Sequence, residues 1–235
     1  MSRELPIIFS TDMVRGILDG RKTQTRRIIK VQPTDPDFNI WIIASTTGPK
    51  KDEGKLRWGK MVDSHLETDN VLFSLPYRIG DKIWVRETWL WVMKDHAHDL
   101  LEGANTRTQY AYKGSFHSDW IKYAKEKYGY KWKPSIHMPK DAARIWLEIT
   151  DVRYERLNDI SVQDAIAEGI EKVGGTYSVS PWRNYLRGKK GEMDMNCSSP
   201  IRSFQTLWDS IHGTDPWKAN PMVWVIEFKV LEALS

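Results

Sequence analysis

Gly20 is followed by Arg21-Lys22-Thr23-Gln24-Thr25-Arg26-Arg27, a run with four cations, two hydroxyls and no acid. Such a cluster suits an anionic or polar, nucleotide-like ligand. It also places an ammonium near a hydroxyl, the minimal equipment for an activated nucleophile, provided the lysine can lose its proton. Arg21, Arg26 and Arg27 supply like charge that pushes the Lys22 pKa down. A fall from about 10.4 to roughly 7.5 costs ~4 kcal/mol, so burial is needed as well as neighbouring cations. A solvated basic turn that holds phosphate and a catalytic Lys22/Thr25 pair both fit these residues. Glu168 is the second residue singled out. It falls in the last turn of a short helix, where the carbonyl end of the dipole disfavours a negative charge by about 0.3 to 1 kcal/mol, so the helix does not explain it. An exposed glutamate in a helix former's place is the plainer alternative.

The elements that must position these groups can be read from periodicity. Ser10, Thr11 and Asp12 offer N-caps, Met13/Ile17 and Val14/Leu18 are i, i+4 apolar pairs, and Gly20 is a left-handed stop. Residues 21–27 then run toward a strand at Ile28-Ile29, and one more helix-like turn would put Lys22 and Thr25 on the same side at i, i+3. Four segments have strand patterns: Pro6–Phe9, Ile83–Arg86, Ile145–Thr150 and Val223–Val230. Both faces of these strands carry apolar residues, which predicts a mainly antiparallel sheet covered on both sides. A helix opens at Ser199-Pro200, carries a stripe of Ile201, Phe204, Leu207, Trp208 and Ile211, and closes at His212-Gly213. A shorter one starts at Ser161, with Asp164 three residues on, and ends by Gly169. The expected fold is α+β, a small curved sheet or barrel with short covering helices. Residues 1–235 read as a single domain with long insertions at about 33–70, 94–140 and 171–198.

Bulk charge is weak evidence of a nucleic-acid partner. Lys and Arg total 35 against 31 Asp and Glu, a net charge of +4, so any such signal must come from clustering. Cations and rings interleave over Trp120–Lys133 and again from Trp182 through Arg183, Arg187, Lys189 and Lys190. Stacking rings beside charge suit single-stranded nucleic acid, and residues 119–128 equally suit an amphipathic helix with snorkelling lysines. There are 12 tryptophans. Trp84, Trp146, Trp208 and Trp224 lie on patterned elements, whereas Trp41, Trp58, Trp132, Trp182 and Trp217 lie in less regular sequence and are stacking candidates, Trp132 and Trp182 above all. The single cysteine, Cys197, excludes an intramolecular disulfide and a cysteine-rich zinc site, which points to the reducing cytoplasm. His96 and His98 lack companions at metal-ligand spacing, so neither a metal nor a cofactor is expected. No apolar run approaches the roughly 20 residues that span a bilayer, and no apolar signal core follows Met1-Ser2-Arg3-Glu4.

Five blocks in order carry a resemblance: Gly20-x-Lys22 with Arg27; Gly80-Asp81-x-Ile83-x-Val85; Leu147-Glu148-Ile149; Leu157 to Gly169 with Asp164-Ala165 and Glu168-Gly169; and Val225-Ile226-Glu227-Phe228-Lys229-Val230. Together they resemble the ASCH domain, a family related to PUA-type RNA-binding domains and frequent in bacteriophage and prophage genomes. The resemblance covers roughly residues 7–30, 76–90, 143–170 and 220–231, leaving the insertions out. It implies a PUA-like small β-barrel with a cavity lined by Lys22 and Arg27 that holds RNA or a nucleobase. A small bacterial member is a 4-N-acetylcytidine amidohydrolase with a Lys, Thr and Glu triad, which falls on Lys22, Thr25 and Glu168. By that analogy Thr25 is the nucleophile, Lys22 its base, and Glu168 orients Lys22 or protonates the leaving amine. The expected partner is RNA, single-stranded nucleic acid or a modified nucleoside, with Arg21, Arg26, Arg27, Trp132 and Trp182 contributing to binding. A dedicated acylcytidine amidohydrolase, a ribonuclease and a phage protein that binds a host protein are the competing readings.

Overall fold

A computed structural model describes residues 2–42, 52, 54–92, 110–115, 118–174, 178–186, 195–213 and 216–233. In chain order these form β1 (Glu4–Ile8), α1 (Thr11–Leu18), β2 (Gln24–Ile28), β3 (Asn39–Ile42), β4 (Leu56–Val62), β5 (His65–Thr68), β6 (Lys82–Arg86), β7 (Trp89–Trp91) and β8 (Tyr110–Tyr112). Then come α2 (Ser118–Tyr128), β9 (Ile145–Arg156), α3 (Val162–Ala167), α4 (Pro200–His212) and β10 (Met222–Ala233). No helix among the described residues is long and apolar enough to cross a membrane.

The main sheet has the order β1-β6-β9-β10-β2, with β1 parallel to β6 and every other pairing antiparallel. Alternation along β10 sends Trp224, Ile226 and Phe228 to one core and Val223 and Val225 to another. The first core adds Phe9, Val14, Ile17, Ile83, Leu147 and Ile149; the second is covered by Phe204, Leu207 and Trp208 of α4. A strand buried on both faces reads as a nearly continuous apolar run, as β10 does. The local signals at the helices also operate. Ser10 Oγ accepts from the Met13 amide, Ser161 Oγ from Asp164 N at 3.0 Å, and Ser199 Oγ from Arg202 N at 3.2 Å.

The mixed α+β architecture stands, but the expected PUA-like small β-barrel does not form. The described strands make a five-stranded, a three-stranded and a two-stranded sheet, and none closes. No ladder joins the edge strands β1 and β2. Side chains stand where such a ladder would run: the Arg27 guanidinium donates to the Ile8 carbonyl at 2.6 Å, and the Tyr77 hydroxyl to the Pro6 carbonyl at 3.0 Å. Pro6 lacks the N–H that a closing ladder would use. Between the two edges lies a cleft of about 580 Å³.

The stretch at 33–70, expected as an insertion around the barrel, supplies the β3-β4-β5 sheet. Trp58 of β4 is fully buried and donates its indole N–H to the Val31 carbonyl at 2.7 Å, so it is a core residue and not a stacking platform. Trp41 donates to the Gly59 carbonyl at 2.9 Å, and Trp217 packs on the second core. His96, His98, Arg187, Lys189 and Lys190 lie outside the described residues.

Candidate functional site

The chain leaves α1 through a tight turn. Gly20 sits at φ 70°, and the amides of Arg21 and Lys22 both bond the Gly16 carbonyl, at 2.8 and 2.9 Å. The expected helix-like turn does not follow. Lys22 makes an isolated antiparallel bridge to Glu168, the Thr23 amide bonds the Ala167 carbonyl at 2.9 Å, and Thr25 is already the second residue of β2. Docking strand residue against helix end demands Gly169, which sits at φ 86°. A Cβ there would lie 2.6 Å from the Lys22 Cβ.

This bridge brings Lys22 and Glu168 together. Lys22 is 1% exposed, and its Nζ donates to the Gln24 carbonyl at 2.8 Å, the Glu168 carbonyl at 2.9 Å and Glu168 Oε2 at 3.0 Å. An ammonium has three protons to donate, so these three acceptors use its whole capacity. Burial pulls the Lys22 ammonium below the usual lysine range, an effect that the Glu168 charge partly offsets and that Arg27 and Arg26 reinforce. The other oxygen of Glu168 accepts from Arg26 at 3.1 Å.

Arg26, expected to face nucleic acid, is turned inward. Its side chain is fully buried, paired with Glu155 as well as Glu168, 3.3 Å from Asp164, and near the face of Phe204. Arg153 links the outer carboxylates, reaching Asp164 at 3.0 Å and pairing with Glu227. Lys22 and Arg26, from a segment without acids of its own, are thus met by acids from β9, α3 and the residue that caps α3. Glu155, Arg153 and Glu227 gave no separate sequence signal, because a strand pattern says which positions share a face but not which polar face is buried. Arg21 braces the turn, bonding the Gly169 carbonyl at 2.7 Å and Asp19 at 2.7 Å.

Thr25 and Glu168 line one small chamber together with Met13, Arg26, Arg27 and, on α4, Phe204, Leu207, Trp208, Ile211 and His212. Its volume is about 20 Å³, room for a single water and not for a base. Among the described residues, the buried Trp208 indole N–H has no hydrogen-bond partner. His212 stacks on Trp208, with ring centroids 4.2 Å apart. Partial burial and the Arg27 charge pull its pKa below the usual histidine value. Arg27 stands between this chamber and the larger cleft at the sheet edges and lines both.

Trp132 and Trp182 are half-buried and line neither space. Trp182 bridges Lys172 and Cys197 through its backbone and packs on the second core. Among the described residues, no three His, Cys, Asp or Glu side chains are grouped to hold a metal ion. Comparison of the chain with protein-family models, with curated proteins and with solved structures finds no match.

Proposed function

We propose that the protein binds a modified nucleobase, carried by RNA, single-stranded nucleic acid or a free nucleoside, and hydrolyses an acyl-amide on it at Thr25. The observation that carries this reading is the fully buried Lys22–Glu168 pair at 3.0 Å, with Thr25 and Glu168 in one chamber. The ASCH-like order of the sequence blocks supports it, and the cytoplasm is the compartment that a lone, buried Cys197 suits. Burial pulls the Lys22 pKa down, the direction that the chemistry requires.

In the proposed sequence, Lys22 passes a proton to Glu168. The free amine takes the Thr25 hydroxyl proton as the oxygen attacks the acyl carbonyl. The C–N bond breaks, the exocyclic amine of the base leaves with the proton from Glu168, and an ester on Thr25 remains. Water then cleaves that ester, releasing the carboxylic acid and restoring the hydroxyl. A base reaches Thr25 only when the Phe204–His212 face of α4 withdraws, because the closed chamber holds one water.

Incubation with N4-acetylcytidine, free and within an oligonucleotide, tests the reading. Thr25→Val should abolish release of acetate with the fold intact. Lys22→Arg should be nearly as damaging, since guanidinium does not give up its proton. Glu168→Gln should slow turnover and change its pH profile. Deacylation that survives all three substitutions would falsify the assignment. A second reading, base binding without turnover, is favoured by one observation: all three Lys22 protons are engaged in the closed state. Binding of the acylated base with no acetate released by the wild type would select it.

A further inference from the structure

The cleft between the open sheet edges is separate from the Thr25 chamber, sharing with it only Arg27. Its walls are Pro6, Ile7, Ile8 and Ile29, with Phe73, Tyr77 and Trp224 adding aromatic surface. Arg27, Lys30 and Arg86 also line it, and among the described residues no Asp or Glu does. None of these three cations makes an ion pair within 4 Å among the described residues. Arg27 donates to the Ile8 carbonyl, and Arg86 donates to the Met138 carbonyl at 3.1 Å while lying over Trp84. This differs from Arg26, Arg144 and Arg153, each of which is matched by carboxylates. Cations without counter-charge around an apolar space disfavour a purely apolar guest and favour one with an apolar body and an anionic group. A volume of about 580 Å³ falls in the range of small-molecule sites. Three cations exceed what one carboxylate engages and match a phosphate dianion.

We propose that this cleft is a mononucleotide site: the base lies against Phe73, Tyr77 and Trp224, and the phosphate is held by Arg27, Lys30 and Arg86. The nucleotide is either free or the end of a strand. This assignment goes beyond the deacylation at Thr25 and does not depend on it, because no chemistry is asked of the cleft.

Equilibrium dialysis against cytidine 5′-monophosphate and cytidine tests it, with a 5′-phosphorylated oligonucleotide as the arm that separates strand end from free nucleotide. The monophosphate should bind at least about tenfold tighter than the nucleoside, with an affinity that falls as salt rises. Lys30→Ala with Arg86→Ala should remove that preference. Ser74→Trp, which fills the cleft from its wall, should abolish monophosphate binding with the circular-dichroism spectrum unchanged. Equal binding of nucleotide and nucleoside, or wild-type affinity in both variants, overturns the proposal. Acetate release from N4-acetylcytidine, read on the same preparations, keeps the two assignments apart. Thr25→Val should lose that release and retain monophosphate binding, whereas Ser74→Trp should do the reverse with the free nucleoside as substrate.

Discussion

Glu168 holds two buried cations at once, Lys22 at 3.0 Å and Arg26 at 3.1 Å. Removing one partner from such a cluster leaves charge without compensation in a medium that solvates it poorly. Glu168→Ala should therefore destabilise the protein by about 3 to 5 kcal/mol, measured as a shift of the urea midpoint at constant slope. Glu168→Gln, which keeps an acceptor for Lys22, should cost less. A smaller loss in the alanine variant than in the glutamine one would contradict this account of the site. At the residue level Lys22 and Thr25 were legible from type and spacing, because an ammonium, a hydroxyl and a basic neighbourhood coincide within a few positions. Glu168 was legible mainly through its place in the resembling block. Arg26 read as a surface cation because its counter-charges, Glu155 and Asp164, lie more than a hundred residues away in sequence.

Among the elements, those with chemical punctuation were readable: α1 with Ser10 and Gly20, α3 with Ser161, and α4 between Ser199-Pro200 and Gly213. The second half of β9 was not. Four of residues 151–156 are charged, yet the segment continues the ladder with β10 from Asp151 to Arg156: Arg153 and Glu155 serve the ion-pair cluster, while Val152 and Tyr154 pack against the first core. The β3-β4-β5 sheet was hidden for a different reason: its apolar residues, Ile40, Trp41, Ile42, Leu56, Trp58, Met61, Val62 and Leu66, fall on short strands set among Pro, Gly and charged residues. The turn before β6 ties two elements together. Buried Asp81 accepts from the Arg78 amide at 2.7 Å, from the Arg3 amide at 3.2 Å and from the Arg3 guanidinium. Burial alone would raise its pKa, but these hydrogen bonds win and hold it below 3.8. A carboxylate held down in the folded state stabilises it above the unfolded pKa, and that contribution disappears as pH falls through the folded value. Asp81→Asn should therefore cost stability at pH 7, and the gap between variant and wild type should shrink below pH 3.8, as chemical denaturation across pH would reveal.

For the whole molecule, the basic segment and not the +4 net charge suggested salt-sensitive binding of nucleic acid. Folding changes the count. Arg26 is spent on internal pairs and Arg21 on Asp19 and Gly169, which leaves Arg27, Lys30 and Arg86 facing the cleft. Three cations release few counterions, so binding of a single strand should fall with salt at a log–log slope of only about −2. Fluorescence anisotropy over a salt series measures it, and a slope several times steeper would mean that a different surface carries the strand. The unclosed sheet has one more consequence, and it concerns crowding rather than ligands. A sheet that stops short of a barrel keeps two raw borders, each able to template another copy of the chain. Here the β1 border is already blunted: Pro6 has no amide hydrogen to offer, and the Pro6 and Ile8 carbonyls are taken by Tyr77 and Arg27. The side chains that keep the seam open thus also hinder one molecule from growing onto the next, so the same arginine that lines the proposed nucleotide cleft caps an edge that another copy could extend.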